Sequence, residues 1–132
     1  MANPAKRARP KMFKVSDEMR LWATRLAEEV ASWPNVSSRP MFGMIAFYRA
    51  KTVFAALPVT RTFPTRNSIV FKFNRDTAET RKAREALAVY EGNQSRTKWL
   101  SFELSSPEDI TPARSWLDLA YRSAAPASGK RR

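Results

Sequence analysis

Ser38-Arg39-Pro40-Met41-Phe42-Gly43-Met44-Ile45-Ala46-Phe47-Tyr48-Arg49-Ala50-Lys51-Thr52-Val53-Phe54-Ala55-Ala56-Leu57 is the stretch that decides the fold. Two short apolar runs, Phe42 to Tyr48 and Val53 to Leu57, flank the polar Arg49-Ala50-Lys51, a spacing that predicts consecutive antiparallel strands. A short strand over Ser37 to Met41 is a candidate to precede them. Met41-Phe42-Gly43 reads as core packing beside a tight backbone turn, and Arg39 as a surface charge at a strand end.

Upstream, Ser16 can cap a helix whose first turn holds Asp17 and Glu18 and whose apolar residues Met19, Trp22, Leu26, Val30 and Trp33 recur at helical spacing; Pro34 stops it. Downstream, Pro58 to Asn67 reads as a long exposed loop, and Ser68 to Phe73 as a strand with Ile69, Phe71 and Phe73 on one face and Lys72 on the other. Asp76 to Tyr90 has helical composition, with Ala83, Ala86, Leu87 and Tyr90 as its buried stripe and Gly92 placed to end it. After a polar loop over Asn93 to Lys98, Trp99 to Leu104 alternates as a half-buried strand with Leu100, Phe102 and Leu104 inward. A last helix starts at Ser106-Pro107 or at Thr111-Pro112, buries Ile110, Ala113, Leu117, Ala120 and Tyr121, and ends near Ser123. The order helix, three or four strands, helix, strand, helix defines an α+β two-layer sandwich, with helices on one face of an antiparallel sheet of four to five strands. The sheet's other face is then wet or used in association.

The chain of 132 residues fits one domain, and its formal net charge of +12 needs partitioning before it is interpreted. Residues 1–14 hold Lys6, Arg7, Arg9, Lys11 and Lys14 and no acid, and residues 124–132 end in Lys130, Arg131 and Arg132. These segments are expected to be disordered basic arms around a domain spanning 15–123, which keeps 16 cations against 12 acids. Within that domain, Val30 to Arg75 has no acidic residue but seven cations and eight of the fifteen aromatics.

With no histidine and no cysteine, the chain lacks disulfides, thiolate metal ligands, a thiol nucleophile and the commonest general base. No Gly-x-Ser-x-Gly pattern occurs, and glycines at 43, 92 and 129 alone build no phosphate loop. The expectation is a non-enzymatic protein without cofactor or metal. No apolar run approaches about eighteen residues and no apolar signal core follows the basic start, so a cytoplasmic protein without a membrane partner is expected.

Ser38-Arg39-Pro40-Met41-Phe42-Gly43, followed by Phe47-Tyr48, Phe54-Ala55 and Ile69-Val70-Phe71-Lys72, resembles the N-terminal domain of the TfoX/Sxy family, with Arg39, Met41, Phe42 and Gly43 as the motif. Ser115-Trp116-Leu117 is similar to that family's closing-helix pattern, and the related MmcQ/YjbR-like proteins share the arrangement around Lys98-Trp99-Leu100-Ser101-Phe102 and Tyr121. Met44 stands where a second glycine is usual, and the loop Pro58 to Asn67 is longer than the family's hairpin. A layout likeness to the small bacterial luciferase-family domain runs through Trp33-Pro34, Phe42-Gly43 and Trp99 to Phe102. The TfoX resemblance implies a regulatory or adaptor role through protein contacts, and the same reading takes the protein as a homodimer.

The alternative is a nucleic-acid-associated protein, nonspecific in its binding, because clustered cations attract phosphates. Its candidate contacts are Arg49, Lys51, Arg61, Arg66 and Lys72 in the domain and Lys6, Arg7, Arg9, Lys130, Arg131 and Arg132 in the arms. A third class, a chaperone-like partner binder, would need an exposed apolar patch, for which Trp99 and Phe54 are the residues to inspect.

Overall fold

Ser16 caps the first helix as its position demands: its hydroxyl accepts from the Met19 amide at 3.1 Å. In the computed structural model, which describes residues 11–90, 93 and 98–126, this helix is α1 (Asp17–Ala31), preceded by a short strand β1 (Phe13–Lys14). There follow β2 (Val36–Met41), β3 (Met44–Arg49), β4 (Thr52–Pro58), β5 (Arg61–Thr62), β6 (Ser68–Lys72), α2 (Ala78–Leu87), β7 (Trp99–Glu103), a 3-10 turn at Pro107–Asp109 and α3 (Ile110–Ser123). The main sheet has the order β2-β3-β4-β6-β7 and is antiparallel throughout; β1 and β5 form a separate two-stranded ribbon. The fold is thus α+β, as the sequence pattern predicts.

Strand alternation sorts the side chains. Phe47, Leu57, Ile69, Phe71, Leu100 and Phe102 point into one core with Met19, Trp22 and Leu26 of α1, Ala83 and Leu87 of α2, and Leu117 and Ala120 of α3. All three helices therefore cover the same face of the sheet. Between β3 and β4, Phe47 pairs with Ala55 and Tyr48 with Val53, so Phe54 is the extra residue of a β-bulge. The bulge lets Phe54 join the helix-side core beside Ala55 instead of turning to the opposite face.

Tyr121, near the end of α3, ties this corner together. Its hydroxyl donates to the Pro34 carbonyl at 2.7 Å, and its ring centre lies 5.1 Å from Trp33 and 5.5 Å from Phe54. The guanidinium carbon of Arg49 sits 4.2 Å from the ring centre while its Nη1 donates to the Tyr121 carbonyl at 3.1 Å.

The second face is not left wet at its centre. Met44, Ala56 and Val70 form a small buried cluster there, against which Met12, Met41, Phe63 and Trp99 pack. Met12 and Phe63 each adjoin the β1–β5 ribbon in sequence, and the register Phe13 to Thr62 and Lys14 to Arg61 holds them over the sheet. The loop expected to be exposed over Pro58 to Asn67 thus contains a strand, with Thr62 buried and its Oγ1 donating to the Ser68 carbonyl at 2.6 Å. Residues 13 and 14, expected in the arm, pair with that strand, and Ala124, expected in the C-terminal arm, is buried.

Both sheet edges carry a feature that blocks further strand pairing. The two-residue turn makes Met41 and Met44 the pair that exchanges both bonds, so alternation turns position 40 outward, and proline has no N–H to offer there. On β7, the Asn93 side chain donates to the Ser101 carbonyl and accepts from the Ser101 amide, both at 2.8 Å, occupying the outward peptide groups itself.

Other expectations are corrected in detail. The strand expected from Phe42 starts at Met44, because Phe42 and Gly43 have φ of 51° and 80° and form the turn. The second helix is shorter than Asp76 to Tyr90, beginning after a reciprocal Thr77–Thr80 capping box, and Thr80 rather than Ala86 completes its buried stripe. Gly92 lies outside the described residues. The last helix takes the earlier of its two starts, through the 3-10 turn in which the Asp109 carboxylate accepts from the Ser105 and Ser106 amides.

Candidate functional site

A two-residue turn with both φ positive normally carries Asn-Gly or Asp-Gly, because short polar residues and glycine tolerate the left-handed region. Here its first position is Phe42, 65% exposed. The turn is held rigidly from the neighbouring loop: the Gly43 carbonyl accepts from the amides of Val59, Thr60 and Arg61 at 3.0, 2.8 and 3.1 Å. A Cβ at position 43 would stand 2.8 Å from Arg61 Cγ and 2.9 Å from Thr60 Oγ1, so no side chain fits. The Thr60 carbonyl in turn accepts from the Val15 amide at 3.2 Å, linking the tip to the start of the domain. Val59 is 45% exposed, so two adjoining loops present two apolar side chains at this end. Beside them a groove of about 310 Å³ runs between α1 and the sheet, lined by Ala23, Ala27, Ala31, Ile45, Phe47 and Val59.

The structure disperses the other motif and candidate residues. Arg39 lies on exposed β2 with its guanidinium carbon 5.6 Å from the Tyr48 ring centre, and Met41 packs half-buried on the second-face cluster. Phe42, expected in the core, is at the surface. Arg49 is bound into the fold by Tyr121, whereas Lys51 and Arg66 are exposed at separate turns and Arg61 is exposed on β5. Lys6, Arg7, Arg9, Lys130, Arg131 and Arg132 lie outside the described residues. Of the two apolar candidates, Phe54 is fully buried and Trp99 is half-buried against the second-face cluster.

Lys72 is the one predicted cation that the fold gathers with others. It lines a cleft of about 270 Å³ with Arg75, Arg84 and Lys98, three cations that the sequence pattern does not single out as contacts. A larger groove of about 630 Å³ separates α2 from α3, floored by Ala83, Ala86, Trp116 and Leu119. Its rim arginines are paired, Arg122 with Glu79 and Asp118 at 3.2 and 2.9 Å and Arg114 with Glu29 at 2.6 Å, while Lys82 on the same rim has no carboxylate within ion-pair distance among the described residues. Donating to the carboxylates of Glu79 and Asp118 raises the Arg122 guanidinium pKa above its ordinary value. Among the described residues no helix is long and apolar enough to cross a membrane, and no three acidic side chains gather where a metal ion could be held.

These features define an α+β domain with a rigid aromatic tip and a separate basic cleft. No family model, curated protein or solved structure matches the chain.

Proposed function

We propose that the protein is a non-enzymatic regulatory or adaptor domain of the TfoX N-terminal type, acting through protein contacts made at the Phe42 tip. The observation that carries this reading is Phe42 itself: 65% exposed at φ 51° in a turn that three amide bonds keep rigid. A bulky residue held in the left-handed region costs roughly 1–2 kcal/mol, a cost that asparagine there would largely avoid. Exposed, pre-organised aromatics beside a groove are the anchors on which protein interfaces concentrate their binding energy. A homodimer is the same reading with a second copy as the partner. With Pro40 and Asn93 blocking the two sheet edges, such a dimer would use the tip and groove instead of continuing the sheet.

The test is Phe42→Asn, which suits the turn better than the native residue does. Its thermal midpoint should stay level or rise by a few degrees, while partner retention on immobilised full-length protein, and any self-association seen by sedimentation velocity, should be lost. Retention and self-association equal to those of the parent would overturn the proposal.

A second reading, association with nucleic acid, is favoured by the cleft at Lys72, Arg75, Arg84 and Lys98, where four cations meet one carboxylate. Polyanion binding of this kind is salt-dependent and needs no aromatic stacking.

A further inference from the structure

We infer that the cleft between the end of β6 and the start of α2 is a binding site for the phosphates of a nucleic-acid backbone. This inference rests on the second reading above and gives it a location. Lys72 reaches the cleft from β6, Arg75 from the loop that follows, Arg84 from α2, and Lys98 from the residue before β7. The one carboxylate in the lining, Asp76, pairs with Arg81 at 3.1 Å and is 80% exposed, so its charge is already partnered and solvated. Among the described residues, none of the four cations has a carboxylate within ion-pair distance. The contrast with the α2–α3 groove is direct, because the arginines on that rim each hold a carboxylate of their own. Four like charges around one concave surface repel one another, and an anion seated among them relieves all of those repulsions at once.

The cations are also positioned. The guanidinium carbon of Arg84 lies 5.8 Å from the centre of the buried Phe73 ring. Arg75 donates through Nη2 to the carbonyls of Ala125 and Pro126 at 2.7 and 3.1 Å, contacts that orient it without neutralising its charge. Asn74 anchors the floor, its side chain donating to the Val53 carbonyl and its amide to Ser123 Oγ. At the start of α2 the Thr77–Thr80 capping box engages the Thr77 and Thr80 amides, and the site draws on side-chain charge instead of the helix terminus.

The geometry favours a chain of phosphates over a single one. Four cations from four successive parts of the fold line one open surface, and Arg75 holds Pro126 beside it. A ligand whose phosphates repeat along its length can meet cations from several of these elements at once.

The experiment uses the full chain and a fluorescein-labelled single-stranded oligonucleotide of about 20 nucleotides, followed by anisotropy between about 50 and 200 mM salt. The cleft variant is Lys72→Glu/Arg84→Glu/Lys98→Glu, with Lys72→Gln/Arg84→Gln/Lys98→Gln as the milder form should the first fail to fold. The control, Arg20→Glu/Arg25→Glu/Lys82→Glu, has the same net charge as the first variant. The cleft variants should bind at least about tenfold more weakly and lose about two units of log–log salt slope, near 0.7 per neutralised phosphate. The control should change far less. Equal weakening by control and cleft variants would reduce the effect to bulk charge and overturn the site. Undiminished binding by the cleft variants would also overturn it, while leaving nucleic-acid association through the arms intact. No binding by the parent protein would remove the site and the second reading together. Displacement of the oligonucleotide by inorganic pyrophosphate at matched phosphate concentration would reassign the cleft to a small phosphate ligand.

Discussion

The two faces of the sheet are closed by different means. The helix side is sealed by large side chains from three helices, so Phe47, Leu57, Ile69 and Phe71 are each no more than 1% exposed. The opposite side is sealed at its centre by Met12 and Phe63, half-buried residues flanking a ribbon of two-residue strands, over Met44, Ala56 and Val70. One face is a core built by elements; the other is a strap laid over a shallow patch. Stability should therefore reside on the first face, and the strap should open before the domain unfolds.

The sharpest way to break this contrast is a matched pair of truncations. Phe71→Ala empties a fully enclosed site and should cost about 3–5 kcal/mol, read from the urea midpoint at constant slope. Phe63→Ala removes a half-buried ring from the strap and should cost about 1–2 kcal/mol, with hydrogen exchange accelerating at residues 12–15 and 60–63 before the main sheet. Equal losses from the two would mean that both faces belong to one cooperative core. Smallest of the three, Tyr121→Phe keeps the ring against Trp33 and Phe54 but deletes the hydroxyl bonded to Pro34, for an expected loss of about 1 kcal/mol in the same denaturation experiment. A larger loss would show that the corner around Arg49 depends on this hydrogen bond more than on ring packing.

The helix-covered face was readable in the sequence because its signals are local. Ser16 with Asp17 and Glu18, and the alternation of Ile69, Phe71 and Phe73, each announce an element within a few residues. The strap carries no such signal. Met12 and Phe63 lie in short stretches rich in prolines and cations, some fifty positions apart, and only the pairing of Phe13 with Thr62 brings them to one place. The turn at Phe42 was hidden for the opposite reason: the apolar run continues straight through it, so period two suggested a strand where the backbone reverses. Of the cleft, Lys72 and Arg75 both lie in the acid-free stretch, and only Lys72 was read as a contact. Arg84 and Lys98 lie beyond that stretch, among acidic neighbours such as Glu85, and their grouping with Lys72 is a product of tertiary packing.

The bulge at Phe54 makes one position of β4 unlike the rest. Because Phe54 has no partner across the ladder, removing it would join Val53 to Ala55 with every other side chain still on its own face. A single-residue insertion or deletion elsewhere in β4 would invert the inward and outward sides of one half of the strand. Position 54 is thus where this strand can change length without being turned inside out, and the loss would fall on the ring that supports Tyr121.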